Sequence, residues 1–150
     1  MIRISADLMR AIRSHAERDY PNECCGALLG RAGSGPAPGV TKWILSLEPV
    51  ANRREADAAP TRFLITADDY RAIERKAREK SFDVVGFYHS HPDHPARPSE
   101  YDRRHAIPSY SYVIVSVRDG RADEFTSWTL DDDRGAFSSE PIAEIVSASR

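Results

Sequence analysis

The stretch that decides the fold is Asp83-Val84-Val85-Gly86-Phe87-Tyr88-His89-Ser90-His91-Pro92. Its apolar first part predicts a buried β-strand, and Pro92 ends that strand because proline has no backbone N–H to give to a ladder. Alternate side chains of a strand point to the same face, so His89 and His91 can aim two imidazoles at one point. The pair is therefore a candidate metal site.

A helix start follows at Ser99-Glu100-Tyr101-Asp102. Ser99 is a typical N-cap residue, and Asp102 then falls on the first turn of the helix. Taken alone, Ser-x-x-Asp is an ordinary capping pattern. If the turn lies against the end of the strand, the Asp102 carboxylate becomes a third ligand. Two histidines and one carboxylate leave the fourth position of a tetrahedral Zn²⁺ open for water, which is the catalytic arrangement.

The joint pattern of His-Ser-His-Pro and Ser99-x-x-Asp102 resembles the metal-binding motif of the JAMM (MPN+, Mov34/PAD-1) metalloproteases. Glu23-Cys24-Cys25-Gly26 resembles the Glu-x-Cys-Gly segment of that family, and the resemblance covers roughly residues 5–130. It points to a short, stand-alone bacterial-type member with one Zn²⁺ per chain. The roles that it implies are metal ligand for His89, His91 and Asp102, general base for Glu23, and oxyanion donor for Ser99.

Composition sets bounds on the class of protein. The chain has 150 residues, 41% hydrophobic and 29% charged, with a formal net charge of -2. These values are ordinary for a globular protein, so we predict a single domain over residues 1–150. Neither nucleic acid nor an anionic membrane is indicated as a partner, and no apolar run approaches the roughly 20 residues of a transmembrane helix. A homodimer stays open.

The cysteines and the N-terminus indicate the compartment. Cys24 and Cys25 are the only cysteines, and neighbours in sequence seldom form a structural disulfide. The first residues, Met1 to Ser5, lack the apolar core of a signal peptide. We therefore expect a cytoplasmic protein with reduced thiols.

Hydrophobic periodicity and turn signals predict the order of the elements. Helices are predicted from Ser5 to about Tyr20, from Thr66 to about Lys80, and from Ser99 onward. Strands are predicted over Cys24–Arg31, Val40–Leu47, Arg62–Ile65, Asp83–His89, Tyr110–Val117 and Arg121–Leu130, with one edge strand after Ala136. This order predicts an α/β (α+β) fold in which helices flank a mixed, curved β-sheet. The resemblance implies the same sheet, like that of the cytidine deaminases, with the metal at one end.

Several other side chains have both a functional and a structural interpretation. The family often places an asparagine and a phenylalanine near the substrate groove, although a solvated loop with one buried aromatic explains Asn52 and Phe63 equally well. His94 lies close to the predicted metal site; we expect no ligand role for it, and the sequence does not decide whether it contacts substrate. We expect no ligand role for the other histidines, the cysteines or the remaining nearby carboxylate, namely His15, His105, Cys24, Cys25 and Asp93.

The predicted function is zinc-dependent hydrolysis of a peptide or isopeptide bond after the C-terminal Gly-Gly of a small ubiquitin-like sulfur-carrier protein. The chain resembles short family members, and its loops lack the insertions by which deubiquitinating members hold a second ubiquitin. Glycines let a substrate backbone approach a metal closely. Three alternatives stay open: a metal-free MPN scaffold, a RadC-like relative, and a zinc deaminase, whose H-x-E and P-C-x-x-C signature this chain lacks.

Overall fold

The computed structural model describes residues 1–52, 65–133 and 135–146. Within these residues the elements are β1 (Ile2–Ser5), α1 (Ala6–Asp19), β2 (Cys25–Ser34), β3 (Val40–Val50), α2 (Ala67–Glu79), β4 (Asp83–Pro92), α3 (Glu100–His105), β5 (Ser111–Arg118), β6 (Arg121–Leu130), β7 (Phe137–Ser139) and β8 (Ile142–Ile145). The strands form one sheet in the order β7-β6-β5-β4-β2-β3-β1-β8. Parallel and antiparallel pairs both occur, which confirms the predicted mixed sheet with helices.

The strand that carries the histidines lies at the centre of this sheet. β4 pairs with β2 in an antiparallel register that places Cys25 opposite His89, and with β5 in a parallel register. Next to Gly86 the register with β2 shifts by a bulge, and a Cβ at Gly86 would lie 2.0 Å from the Ser111 carbonyl oxygen. Glycine is therefore required at this close approach of two strands.

Each face of the sheet has its own hydrophobic core. The α1 face holds residues such as Ile12, Leu28 and Tyr88, whereas the α2 face holds residues such as Ile73 and Phe87. Cys24 packs into the first core and Cys25 into the second, so the two free thiols point to opposite faces. Both cysteines are therefore part of the hydrophobic cores.

The helix caps agree with the sequence. Ser5, Thr66 and Ser99 are the N-caps of α1, α2 and α3, and Thr66 and Ser99 each form a complete capping box with the residue at the third helical position. These reciprocal bonds satisfy backbone N–H groups that a helix start otherwise leaves without acceptors.

The strand predictions need five corrections, and one of them is that β4 runs on past His89 to Pro92. The first strand, β1, is missing from the prediction, although Ile2 and Ile4 are fully buried. β2 and β3 run on to Ser34 and Val50, and the tail contains two strands rather than one, with β8 pairing in parallel with β1. Short terminal strands are defined by pairing with residues far along the chain, which local pattern does not encode. Residues 62–64 of the predicted strand Arg62–Ile65 lie outside the described residues.

Among the described residues, no helix combines the length and apolar character needed to cross a membrane.

Candidate metal centre and active site

Alternation along β4 positions the two histidines. His89 and His91 point to one side of the sheet, and Ser90 between them points to the other. The Ser90 hydroxyl accepts a hydrogen bond from the Cys24 N–H at 2.8 Å, and the Ser90 N–H donates to the Cys24 carbonyl at 3.2 Å. These two hydrogen bonds hold Cys24, and with it the preceding residue Glu23, beside the end of β4. As a result, donor atoms of Glu23, His89 and His91 lie within 4.8 Å of one another.

The first turn of α3 brings a second carboxylate to the same histidines. The Asp102 oxygens lie 3.2 Å from His89 Nε2 and 3.2 Å from His91 Nε2, and the two Nε2 atoms are 3.2 Å apart. The cap holds this carboxylate, because the Ser99 N–H donates to Asp102 Oδ2 at 2.8 Å while the Ser99 hydroxyl accepts from the Asp102 N–H at 3.0 Å. The five predicted site residues therefore meet at one place.

The donor set fits a tetrahedral zinc ion. Bonds of about 2.0 Å from Zn²⁺ to nitrogen or oxygen make each edge of the tetrahedron about 3.3 Å long. The two Nε2 atoms are 3.2 Å apart, close to that edge, and one Asp102 oxygen lies at the same distance from each of them, Oδ1 from His89 and Oδ2 from His91. All three side chains are nearly inaccessible, so no bulk water competes for their donor atoms.

A hydrogen bond to a backbone carbonyl fixes the tautomer of His91. The His91 Nδ1–H donates to the Pro95 carbonyl at 2.8 Å, which leaves the lone pair on Nε2, the atom that faces His89 and Asp102. Metal-binding histidines are typically oriented by such a second hydrogen bond. The loop after β4 is therefore part of the site.

Charge at the site keeps Asp102 ionised. Burial raises the pKa of this carboxyl, but the close approach of His89 and His91 and the hydrogen bond from the Ser99 N–H outweigh burial and lower the pKa well below its usual range. An ionised carboxylate is the form that a metal ligand requires.

The loop that carries Pro95 is itself held by β6. Ala96 is buried; its N–H donates to the Glu124 carboxylate at 3.2 Å, and its carbonyl accepts from the Thr126 hydroxyl at 2.7 Å. The Arg97 N–H donates to the same Pro95 carbonyl that His91 uses, at 2.8 Å. Sequence reasoning missed this clamp, for which the three prolines at positions 92, 95 and 98 were the available signal.

Two openings flank the histidine pair. An apolar cavity of about 230 Å³ is lined by His89, Asp102 and Tyr101, among others. A groove of about 290 Å³ is lined by residues that include His91, Glu23 and Ser99. The two carboxylates therefore face different spaces, Asp102 the cavity and Glu23 the groove.

Asn52, His94 and His105, for which the sequence left a functional and a structural interpretation, lie near the site in different ways. The Asn52 amide donates to the Glu23 carbonyl at 3.0 Å, and His94 lines the groove beside Glu23. His105 Nδ1–H donates to the Tyr101 carbonyl at 2.8 Å, and its ring stacks on Tyr101.

Two further residues have structural contacts. His15 is buried against Tyr88, with 2.7 Å between His15 Nδ1 and the Tyr88 hydroxyl. Asp93 accepts hydrogen bonds from the Tyr20 hydroxyl and the Asp119 N–H, so its carboxylate serves the loop. Phe63 lies outside the described residues.

Comparison with known proteins identifies the family. The model for prokaryotic homologs of the JAB domain matches residues 5–131. This chain belongs to that family. A CysO-cysteine peptidase of Mycobacterium tuberculosis is 34% identical over 93% of this chain and 88% of its own length. A desampylase of Haloferax volcanii is 35% identical over 87% of this chain and 90% of its own length.

Solved structures share the fold. A protein from Desulfitobacterium hafniense has a TM-score of 0.81 at 28% identity, with coverage of 97% of this chain and 93% of its own. A JAB1/MPN domain protein from Archaeoglobus fulgidus has a TM-score of 0.55 at 18% identity, with coverage of 97% and 98%. The predicted fold is confirmed. The relatives named peptidase and desampylase show in addition that the chain is a hydrolase of the JAMM peptidase type, so they do not support the scaffold and deaminase alternatives.

Proposed function

We propose that this chain is a zinc-dependent peptidase that hydrolyses the bond after the C-terminal Gly-Gly of a small ubiquitin-like sulfur-carrier protein. The observation that carries the proposal is the set of 3.2 Å separations among His89 Nε2, His91 Nε2 and the Asp102 carboxylate. These residues would hold the ion. A bound Zn²⁺ supplies Lewis acidity and lowers the pKa of water to about 7.

Glu23 is the proposed proton carrier. Its carboxylate takes a proton from the attacking water and delivers it to the leaving nitrogen, which is a role worth ~10²–10⁴ in rate. Glu23 is only 4% exposed, and its backbone carbonyl is bonded to Asn52. A buried carboxylate on an anchored backbone keeps its direction during both proton transfers.

Ser99 is the proposed oxyanion donor. Its oxygen accepts the Asp102 N–H, and this bond leaves the hydroxyl hydrogen available for a substrate oxygen. Ser99 is exposed at the groove that Glu23 and His91 also line, so a bound carbonyl can reach it. A donor of this kind stabilises the negative charge that develops on the carbonyl oxygen, by ~10²–10³ in rate.

Two observations support a Gly-Gly tail as substrate. The relative named CysO-cysteine peptidase matches 93% of this chain, so the likeness extends well beyond the motif. The His91 and Glu23 side chains lie in a groove of about 290 Å³, which suits an extended backbone without side chains better than a bulky one.

The test uses a purified carrier with extra residues after its Gly-Gly and the zinc-loaded enzyme, and it measures intact masses. We expect one product that ends at Gly-Gly, and none with the Glu23→Gln enzyme. The matched control is the same carrier with both glycines replaced by alanine, which we expect to be cleaved far more slowly. Equal cleavage of the two carriers, or of neither, contradicts the proposed substrate.

A further inference from the structure

Among the residues that the structure describes, the groove beside Glu23 and Ser99 is lined by one permanently charged side chain. Arg97 lines it together with Glu23, His91 and Ser99. Within the described part of the chain, the Arg97 guanidinium takes part in no ion pair or hydrogen bond, whereas Arg103 and Arg104 are both paired with Glu100. A guanidinium is always charged and presents a planar set of donors that matches a carboxylate.

The backbone under Arg97 is rigid. Its N–H shares the Pro95 carbonyl with His91, and the residue before it is held at both ends by Glu124 and Thr126. The origin of the Arg97 side chain is therefore fixed relative to the metal site. A preorganised cation loses less entropy when it binds a ligand.

The chemistry of proton transfer indicates which part of the substrate lies near Arg97. The general base must reach the leaving nitrogen within hydrogen-bond distance. Glu23 lines two openings, the groove and a wider pocket of about 780 Å³ that includes Arg18 and Asp19. Only the groove also contains His91 and Ser99, so the leaving residue starts there.

We propose that Arg97 binds the α-carboxylate of the residue released after Gly-Gly, which makes the enzyme selective for a single free C-terminal amino acid over an isopeptide or an internal bond. This inference rests on the proposed function and goes further, because it names the leaving group. An amino acid whose nitrogen lies at Glu23 carries its carboxylate two bonds from that nitrogen, on the side where the groove offers Arg97.

The experiment compares two carriers that differ only in the charge of the last residue: Gly-Gly-Ala with a free carboxylate, and the same sequence with a C-terminal carboxamide. A hydrogen bond to a charged group contributes about 1.5–3 kcal/mol, so we expect kcat/KM to be roughly 10- to 100-fold higher for the carboxylate. In Arg97→Gln this ratio should fall to near one, and in Arg97→Lys it should fall only in part. Arg18→Gln, the matched control, should keep the wild-type ratio.

A second measurement is independent of turnover. Calorimetric titration of zinc-loaded Glu23→Gln with the two carriers should give tighter binding of the carboxylate, and the added Arg97→Gln change should remove the difference. Equal kcat/KM for both carriers in the wild type, or loss of the ratio in Arg18→Gln instead, overturns the role of Arg97 while Gly-Gly hydrolysis stands. Failure to cleave either carrier ends both proposals.

Discussion

At the scale of single residues, the site depends on two carboxylates that approach one histidine pair from different sides. Asp102 lies 3.2 Å from each histidine Nε2 and lines the apolar cavity, whereas Glu23 lines the open groove. A ligand belongs on the closed side, where water does not compete, and a proton carrier belongs on the side from which substrate enters. This difference in surroundings supports the assignment of the two roles.

Substitution separates the roles by two measurements, zinc content and turnover. Asp102→Asn should lose tight zinc binding, since a neutral amide is a weaker ligand. Glu23→Gln should keep one zinc per chain and lose at least ~10² in kcat. Ser99→Ala should also keep zinc and lose less. Metal analysis after dialysis gives the first readout and carrier cleavage the second.

One result would reverse the assignment of the carboxylates. If Glu23→Gln is purified without zinc while Asp102→Asn retains it, then Glu23 is the ligand. His105→Gln is the matched control and should keep both zinc and turnover, because among the described residues the His105 ring hydrogen-bonds to the Tyr101 carbonyl and stacks on the Tyr101 ring.

Among the elements, β4 and its neighbour β5 approach each other unusually closely at Gly86, three residues before His89. A Cβ at Gly86 would lie 2.0 Å from the Ser111 carbonyl oxygen on β5, whereas a Cβ at Gly33 on β2 would meet the Trp43 ring at an ordinary 3.8 Å. The first contact is with backbone, which cannot rotate away.

Gly86→Ala should therefore destabilise the fold, and Gly33→Ala should not. Overpacking of this kind costs about 1–3 kcal/mol or more in the free energy of unfolding. Urea unfolding of both variants, followed by circular dichroism, provides the comparison. Equal midpoints for Gly86→Ala and wild type would show that β5 moves aside without cost.

Some of these elements follow from local sequence patterns, and others depend on contacts between distant parts of the chain. The capping pattern at Ser99 and the alternation of His89 and His91 are local rules, and the structure agrees with both. The parallel pairing of β1 with β8 joins chain segments about 140 residues apart. No local pattern sets such a pairing, and the same is true of the contacts from β6 that hold Ala96.

The candidate site likewise has residues that the sequence predicts and residues that only the fold brings together. The meeting of His89, His91 and Asp102 was predictable because residue type and spacing indicate it. The role proposed for Arg97 was not predictable from the sequence, because an arginine in a proline-rich loop has no distinctive pattern until the fold places it beside Glu23.

In the molecule as a whole, a buried polar contact joins helix α1 to β4, on the face of the sheet that holds Tyr88. His15 Nε2 lies 3.3 Å from the Asp19 carboxylate, and His15 Nδ1 lies 2.7 Å from the Tyr88 hydroxyl. A neutral ring satisfies both partners: Nε2–H donates to Asp19, and Nδ1 accepts from Tyr88. A second proton on the ring would remove the acceptor that the buried Tyr88 hydroxyl uses.

This contact predicts a loss of stability in mild acid. Burial lowers the pKa of His15; Asp19 opposes the shift, and Arg18 adds to it. The unfolded chain therefore takes up a proton as the pH falls through about 6.5, before the folded chain does, so the free energy of unfolding declines as the pH falls below that value. Urea unfolding of zinc-free protein at pH 7.5 and 5.5 should show this decline, and His15→Gln should reduce it.

In zinc-free protein, His89 and His91 lack the ion that they are proposed to bind, and this affects every variant alike. The informative quantity is therefore the difference between variants in the decline of the free energy of unfolding. His105→Gln replaces an exposed histidine and should keep the wild-type decline. If His15→Gln declines as much as wild type between the two pH values, then the contact of α1 with Tyr88 does not set the acid sensitivity. If His15→Gln instead declines more than wild type, His15 is stabilised in its charged form and Asp19 outweighs burial.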